Sequence, residues 1–316
     1  MTVARDAAAP VARARTRPRP SRWAVSDGIA GYLFLSPWML GLVLLTLGPM
    51  LASLYLAFTD YNLFTAPEWI GLANFRTMFD DPRYLQAVKV TVTYVLVSVP
   101  LKLVVAMAVA VVLNTPRRGK GFYRSAFYGP SLVGASVSVA IVWRALFTDD
   151  AVVDRFLQAI GIHTGGWVGN PDYALGLLVL LAAWQFGAPM VIFLAGLKQV
   201  PTELYEAASV DGAGPLRRFV SITLPMLSPV IFFNLLLETI HAFQAFTAAW
   251  VVGSGNGSPA GSTLFYTIYL FEEGFRDFNM GYAAAMAWML LLVVGVITVL
   301  LVRSSRMWVH YSGDDR

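Results

Sequence analysis

The 316-residue sequence contains no cysteine, which excludes disulfides, thiolate metal sites and cysteine nucleophiles. Charge is scarce as well: 13% of residues are Asp, Glu, Lys or Arg, against roughly 25% in an ordinary soluble domain. The 3 histidines, His163, His241 and His310, fall in separate segments without metal-ligand spacing. Neither Gly-x-Ser-x-Gly nor His-Glu-x-x-His occurs, and Gly119-Lys120-Gly121 lacks the upstream glycine and the following Ser or Thr of a phosphate-binding loop. The sequence thus offers no catalytic residue and no metal ligand set, and predicts a chain that is not an enzyme and cannot hydrolyse ATP by itself.

What the sequence has in excess is apolar length. Hydrophobic residues make up 57% of it, with a mean hydropathy of +0.62. Six apolar segments, about 29–58, 86–114, 125–147, 173–197, 224–252 and 280–302, each exceed the roughly 20 residues a helix needs to cross a bilayer. Backbone polar groups must be satisfied inside lipid, so such runs are expected to be helices. The predicted fold is an all-α integral membrane protein of six transmembrane helices, embedded in lipid, with no repeat visible between its halves.

Basic residues fall between these segments. The first 22 residues hold Arg5, Arg13, Arg15, Arg17, Arg19 and Arg22 without the apolar core of a signal peptide, and Pro10, Pro18 and Pro20 oppose an amphipathic transit helix. Residues 1–26 are read as a disordered basic tail, 27–305 as the transmembrane domain and 306–316 as a second tail. Arg117, Arg118, Lys120 and Arg124, then Lys198, Arg217 and Arg218, then Arg303, Arg306 and Arg316 all share the tail's side if six helices alternate. By the bias of Lys and Arg toward the cytoplasm, both termini are predicted cytoplasmic. The net charge of +4 and pI near 9.3 therefore orient helices and do not imply nucleic acid. Pro37, Pro49, Pro100, Pro130, Pro189 and Pro229 interrupt spans, as ordinary bends of a packed bundle or as hinges of a gated pore.

Between the fourth and fifth segments lies a stretch, 202–225, too polar to span. Thr202 suits a helix N-cap with Glu203 in the first turn; Gly212 and Gly214 suit a helix end, and Pro215 a new start. A short helix, a turn and a second short helix are predicted. Its Glu-Ala-Ala, three residues, Gly, nine residues, Ile-x-Leu-Pro pattern is filled by Glu206, Ala207, Ala208, Gly212, Ile222, Leu224 and Pro225. In this the chain resembles the EAA-motif permeases of binding-protein-dependent ABC importers. Leu35-Ser36-Pro37 through Asp60, Trp69 to Phe75, and Phe275 to Ala285 are similar to the first permease of the carbohydrate-uptake, maltose and glycerol-phosphate type. The loop Val252 to Pro259 departs from that pattern, where relatives often read Thr-x-Gly-Gly-Pro.

The resemblance implies a type I ABC importer permease fold, with a cytoplasmic coupling helix that docks on an ATPase through Glu206, Ala207, Ala208, Asp211, Gly212, Ile222, Leu224 and Pro225. It further implies that this chain binds no cofactor, that ATP and Mg are used by a separate ATP-binding-cassette ATPase dimer, and that a second homologous permease completes the path. A sugar or related polyhydroxylated solute would arrive on an extracytoplasmic solute-binding protein. The location implied is a bacterial or archaeal plasma membrane.

For the solute path, Asn234, Glu238 and His241 share one face of the fifth segment, and Gln244 extends it. Trp184, Gln185, Tyr282 and Trp288 are candidates from neighbouring segments. Intramembrane polar residues face a cavity or a partner helix, so the stripe reads equally as solute contact or as interhelical glue. Lys102 is read as a side chain that snorkels to the outer interface, with a pore role as the alternative. An ion-driven carrier and an intramembrane enzyme stay open as other classes; the first would transport alone, the second would lose turnover when Glu238 or His241 is changed.

Overall fold

The computed structural model describes residues 27–115, 120–134, 136–161 and 164–309. The tail 1–26, Arg117, Arg118, Gly119, His163, His310 and the end 310–316 lie outside the described residues. The chain divides into two compact units, Met1–Ala52 and Ser53–Arg316.

The first unit, where described, is helical. Helix α1 (Asp27–Gly41) carries Pro37 inside it and passes through a π-helical turn, Leu42–Leu47, into α2 (Gly48–Leu56). Together these give an apolar stretch, Ile29–Leu56, long enough to cross a bilayer.

The second unit begins within α2, at Ser53, and continues with a two-stranded hairpin, β1 (Thr59–Asp60) against β2 (Glu68–Trp69), antiparallel with Thr59 facing Trp69. Helix α3 (Ala73–Asp80) follows, and Asn74 Nδ2 donates to the Ala57 and Thr59 carbonyls, both at 3.0 Å. Helix α4 (Pro82–Asn114) starts where Asp81 accepts the Arg83 N–H and Pro82 occupies the first turn, where no N–H is required. Its 33 residues reach about 50 Å at ~1.5 Å per residue. It is the central element: Ala87, Val90, Tyr94, Val95, Ser98 and Leu103 are among its buried residues, and it packs against α8, α9 and α12.

The third and fourth predicted segments are not straight spans. The third is α5 (Lys120–Val133) and α6 (Val137–Leu146), inclined by 98°; the fourth is α8 (Pro171–Trp184) and α9 (Gly187–Leu197), inclined by 41°. Between them lie the short α7 (Val152–Ala159) and its loop. The two breaks repair each other. Gln185 Nε2 donates to the Gly134 carbonyl at 3.0 Å, while Ser131 Oγ donates to the Gln185 carbonyl at 2.9 Å and accepts the Ala188 N–H at 3.0 Å. Interrupted backbone at membrane depth persists only where neighbours resatisfy it, and here each broken span does so for the other. The third segment, expected to bend or hinge at Pro130, turns sharply between α5 and α6, where this pairing joins residues far apart in sequence.

Helices α10 (Thr202–Val210) and α11 (Pro215–Arg218) come next; α11 continues through a π-helical turn, Phe219–Thr223, into α12 (Leu224–Phe243). The second short helix predicted for the hairpin is therefore the first turn of the fifth span. A break near Gln244 precedes α13 (Thr247–Val252), and α14 (Tyr266–Phe271) leads through a π-helical turn, Glu272–Arg276, to α15 (Met280–Trp308). Among the described residues four helical stretches have the length and composition to span a membrane, and six if each bent pair counts as one.

Candidate coupling hairpin and solute path

The hairpin is built from its ends. Helix α10 begins at Thr202 with Pro201 in the cap position and no side-chain cap bond, so Thr202 is the first helical residue and not the cap the sequence suggested; the proline already fixes the entering backbone. At the other end Asp211 is the C-cap and Gly212 adopts φ +74°. The Ala213 N–H reaches the Ala208 carbonyl at 2.9 Å and the Gly212 N–H reaches Ser209 at 3.1 Å, the paired bonds of a Schellman cap, which needs a left-handed residue at that point. Glycine supplies it without steric cost.

Two contacts bind the hairpin to the fifth span. The Tyr205 hydroxyl and Thr223 Oγ1 are 2.9 Å apart, and Arg218 Nε donates to the Ala213 carbonyl at 2.7 Å. Ile222 and Thr223 lie in the π-helical turn, and Leu224 and Pro225 begin α12. Glu206, Ala207, Asp211 and Gly212 are exposed and Ala208 is half-buried. Val210 is 90% exposed and Leu216 76%, with Leu204 and Val220 exposed as well, so a polar surface element carries several large apolar side chains with nothing over them.

Deeper in the unit, a cavity of about 390 Å³ lies between α4, α8 and α12. Of the eight residues predicted for the solute path, Glu238, His241 and Gln185 line it. The other five are placed elsewhere. Asn234 is buried and donates to the Val230 carbonyl of its own helix at 3.0 Å. Gln244 is the exposed C-cap of α12. Trp184 packs on Trp143, ring centres 5.6 Å apart, and Trp288 packs against the apolar core. Tyr282 donates to Asp81 Oδ2 at 3.0 Å beside a different cavity, of about 370 Å³.

Lys102 also lines the first cavity, and its Nζ lies 2.7 Å from Glu238 Oε2. Of the two expectations for Lys102, this favours a place on the path over snorkelling. Lys102 is twenty residues into α4, about 30 Å from its start at ~1.5 Å per residue, and its ammonium is turned to Glu238. Burial leaves the two side chains 16% and 12% exposed, and an unpaired charge there would be far costlier than a paired one. Tyr94 and Ser98 complete a polar stripe with Lys102, at steps of four along α4. That spacing was readable in the sequence as one helix face, and the sequence reading passed over it.

Asp149, Asp150 and Asp154 present carboxylate oxygens within 4.8 Å of one another, a group the sequence reading did not single out as a metal site. Asp154 accepts from Thr164 Oγ1 at 2.7 Å, Gln158 Nε2 at 2.8 Å and the Asp150 N–H at 3.2 Å. The Thr164 bond is the largest cause holding its carboxyl below the usual range, and these bonds organise the loop around α7.

Comparison with known proteins places this geometry in a class. Residues 70–307 match the model of the binding-protein-dependent transport system inner membrane component family. The chain belongs to that family, and is a non-catalytic, multi-pass membrane permease subunit of an importer whose ATPase is a separate subunit. It is 51% identical to the probable ABC transporter permease protein YesP of Bacillus subtilis (strain 168), over 94% of this chain and 97% of that one. It is 33% identical to the lactose transport system permease protein LacF of Rhizobium radiobacter, over 86% and 92%. In fold it is similar to a bacterial alginate ABC transporter solved in complex with an alginate pentasaccharide-bound periplasmic protein: TM-score 0.76, 20% identity, covering 88% of this chain and 94% of that one.

Proposed function

We propose that this permease lines, together with a second homologous permease, the path for a sugar or related polyhydroxylated solute that an extracytoplasmic binding protein delivers. A pair of ATP-binding-cassette subunits uses ATP and Mg; the chain itself requires no cofactor. It lies in a bacterial or archaeal plasma membrane with both termini in the cytoplasm, the basic segment 1–26 and residues 306–316 being tails of the 27–305 domain. The sugar reading draws support from relatives whose names include lactose transport and from the neutral donors and acceptors that Tyr94, Ser98 and Gln185 turn to the cavity.

One observation carries the coupling role: the exposed hairpin, with Glu206, Ala207 and Val210 bare, is joined to the fifth span by Tyr205 and Thr223 and by an unbroken run from Pro215 into α12. Ala207 and Ala208 let the helix settle closely into a groove of the ATPase, Glu206 offers it a carboxylate, and Asp211 with Gly212 turns the chain back. Closure of the ATPase pair then moves α10 and, through Ile222, Leu224 and Pro225, tilts α12, whose Glu238 and His241 stand on the cavity wall. Glu206→Arg or Gly212→Pro is expected to abolish ATP-dependent uptake in vesicles while membrane insertion stays intact. Full uptake by either variant would overturn the assignment.

A further inference from the structure

Lys102 and Glu238 stand on two different spans and meet on the cavity wall at 2.7 Å. Among the described residues this is the one hydrogen bond either side chain makes. An ammonium has three N–H donors and a carboxylate about four acceptor positions. Two donors and most of the acceptor capacity therefore remain, side by side, at one spot in the cavity. Polar groups withdrawn from water are costly when unmet, so cavity water or a solute must meet them.

The pairing restricts what the solute presents there. A lone anionic group is drawn to Lys102 and repelled by the adjoining Glu238; a lone cation meets the reverse. Adjacent hydroxyls suit both, because each hydroxyl donates once and accepts twice: one donates to the free Glu238 oxygen while its neighbour accepts from Lys102. We propose that the Lys102–Glu238 pair reads a vicinal diol of the transported solute and is the specificity-determining element of this cavity. The inference rests on the sugar reading above and adds which atoms of the sugar are recognised.

The test uses the assembled importer, with its ATPase and binding protein, in proteoliposomes offered lactose, maltotriose and an alginate disaccharide. Each sugar taken up is compared with its singly deoxygenated analogues, at concentrations saturating the binding protein. Wild type is set beside Lys102→Met/Glu238→Gln, which removes both charges without leaving one buried alone, and beside Glu238→Gln, which keeps the side-chain shape. Loss of either of two adjacent hydroxyls is expected to lower wild-type uptake about tenfold or more, the effect of one lost charge-assisted bond. The same losses are expected to change uptake by the variants less than about twofold. A pair holding the helices together and nothing else would lower uptake of all analogues equally. Identical deoxygenation penalties in wild type and variants therefore overturn the inference and leave the sugar path standing. Uptake of none of the three sugars by wild type overturns the sugar reading itself.

Discussion

Asp81 gathers more partners than any other acidic residue at the start of α4. Its carboxylate caps that helix through the Arg83 N–H and accepts from the Tyr269 and Tyr282 hydroxyls. Burial pushes its carboxyl up, but hydrogen bonds from Tyr269, Arg83 and Tyr282 together outweigh burial and hold it below the ordinary 3.8. The folded state thus favours the ionised form, and Asp81 contributes stability that is complete well above pH 3.8 and lost as pH falls below it. The thermal midpoint of detergent-purified protein should fall as pH drops below about 4, and Asp81→Asn should remove part of that acid sensitivity. An unchanged acid limb in the variant would contradict this role. Gly281 makes a second prediction: a Cβ there would collide with the Thr59 carbonyl oxygen, and its own N–H donates to the Tyr61 carbonyl at 3.0 Å. Gly281→Ala should cost about 1–3 kcal/mol through overpacking, read as a lower unfolding midpoint; a midpoint equal to wild type would show that the hairpin yields. The glycine is visible in the sequence as part of the resemblance, but its reason, close approach of α15 to β1, needs the fold. The same holds for Lys102: a charge within a span is legible, whereas its partner 136 residues away is not.

At the scale of elements, the useful distinction is between local and non-local signals. Gly212 was legible because a helix end is written in adjacent residues, and the polar stripe of α12 because a helix face is written at steps of three and four. The stripe's fate was not: whether Asn234 or Glu238 meets the cavity depends on how α12 is rotated against α4. The bends in the third and fourth spans were equally hidden, since Pro130 marks a candidate kink but Gln185, which repairs the break, sits on another helix. Gln185→Leu should leave the Gly134 carbonyl without its donor and lower stability by about 1–3 kcal/mol; a midpoint within error of wild type would deny the two breaks their mutual dependence. The hairpin joint gives a functional counterpart. Removing the Tyr205 hydroxyl with Tyr205→Phe breaks the contact to Thr223, worth about 1 kcal/mol, and should lower the sugar moved per ATP hydrolysed several-fold while ATP hydrolysis continues. An unaltered ratio would mean that the continuous helix alone transmits the motion.

For the whole molecule, the six-segment pattern and the placement of Lys and Arg support the orientation proposed above, with the hairpin on the cytoplasmic side. The absence of cysteine makes that orientation directly measurable, because a single Ser209→Cys carries no background thiol. In sealed right-side-out vesicles an impermeant maleimide should leave it unlabelled, and in inverted vesicles it should label fully. The chain is a permease subunit whose importer is driven by a separate ATPase, so transport depends on its partners. Reconstituted alone in proteoliposomes it should pass no solute under any ion gradient, and uptake should appear only when the ATPase, the second permease, the loaded binding protein and ATP are all present. Concentrative uptake by the chain alone would contradict the central claim.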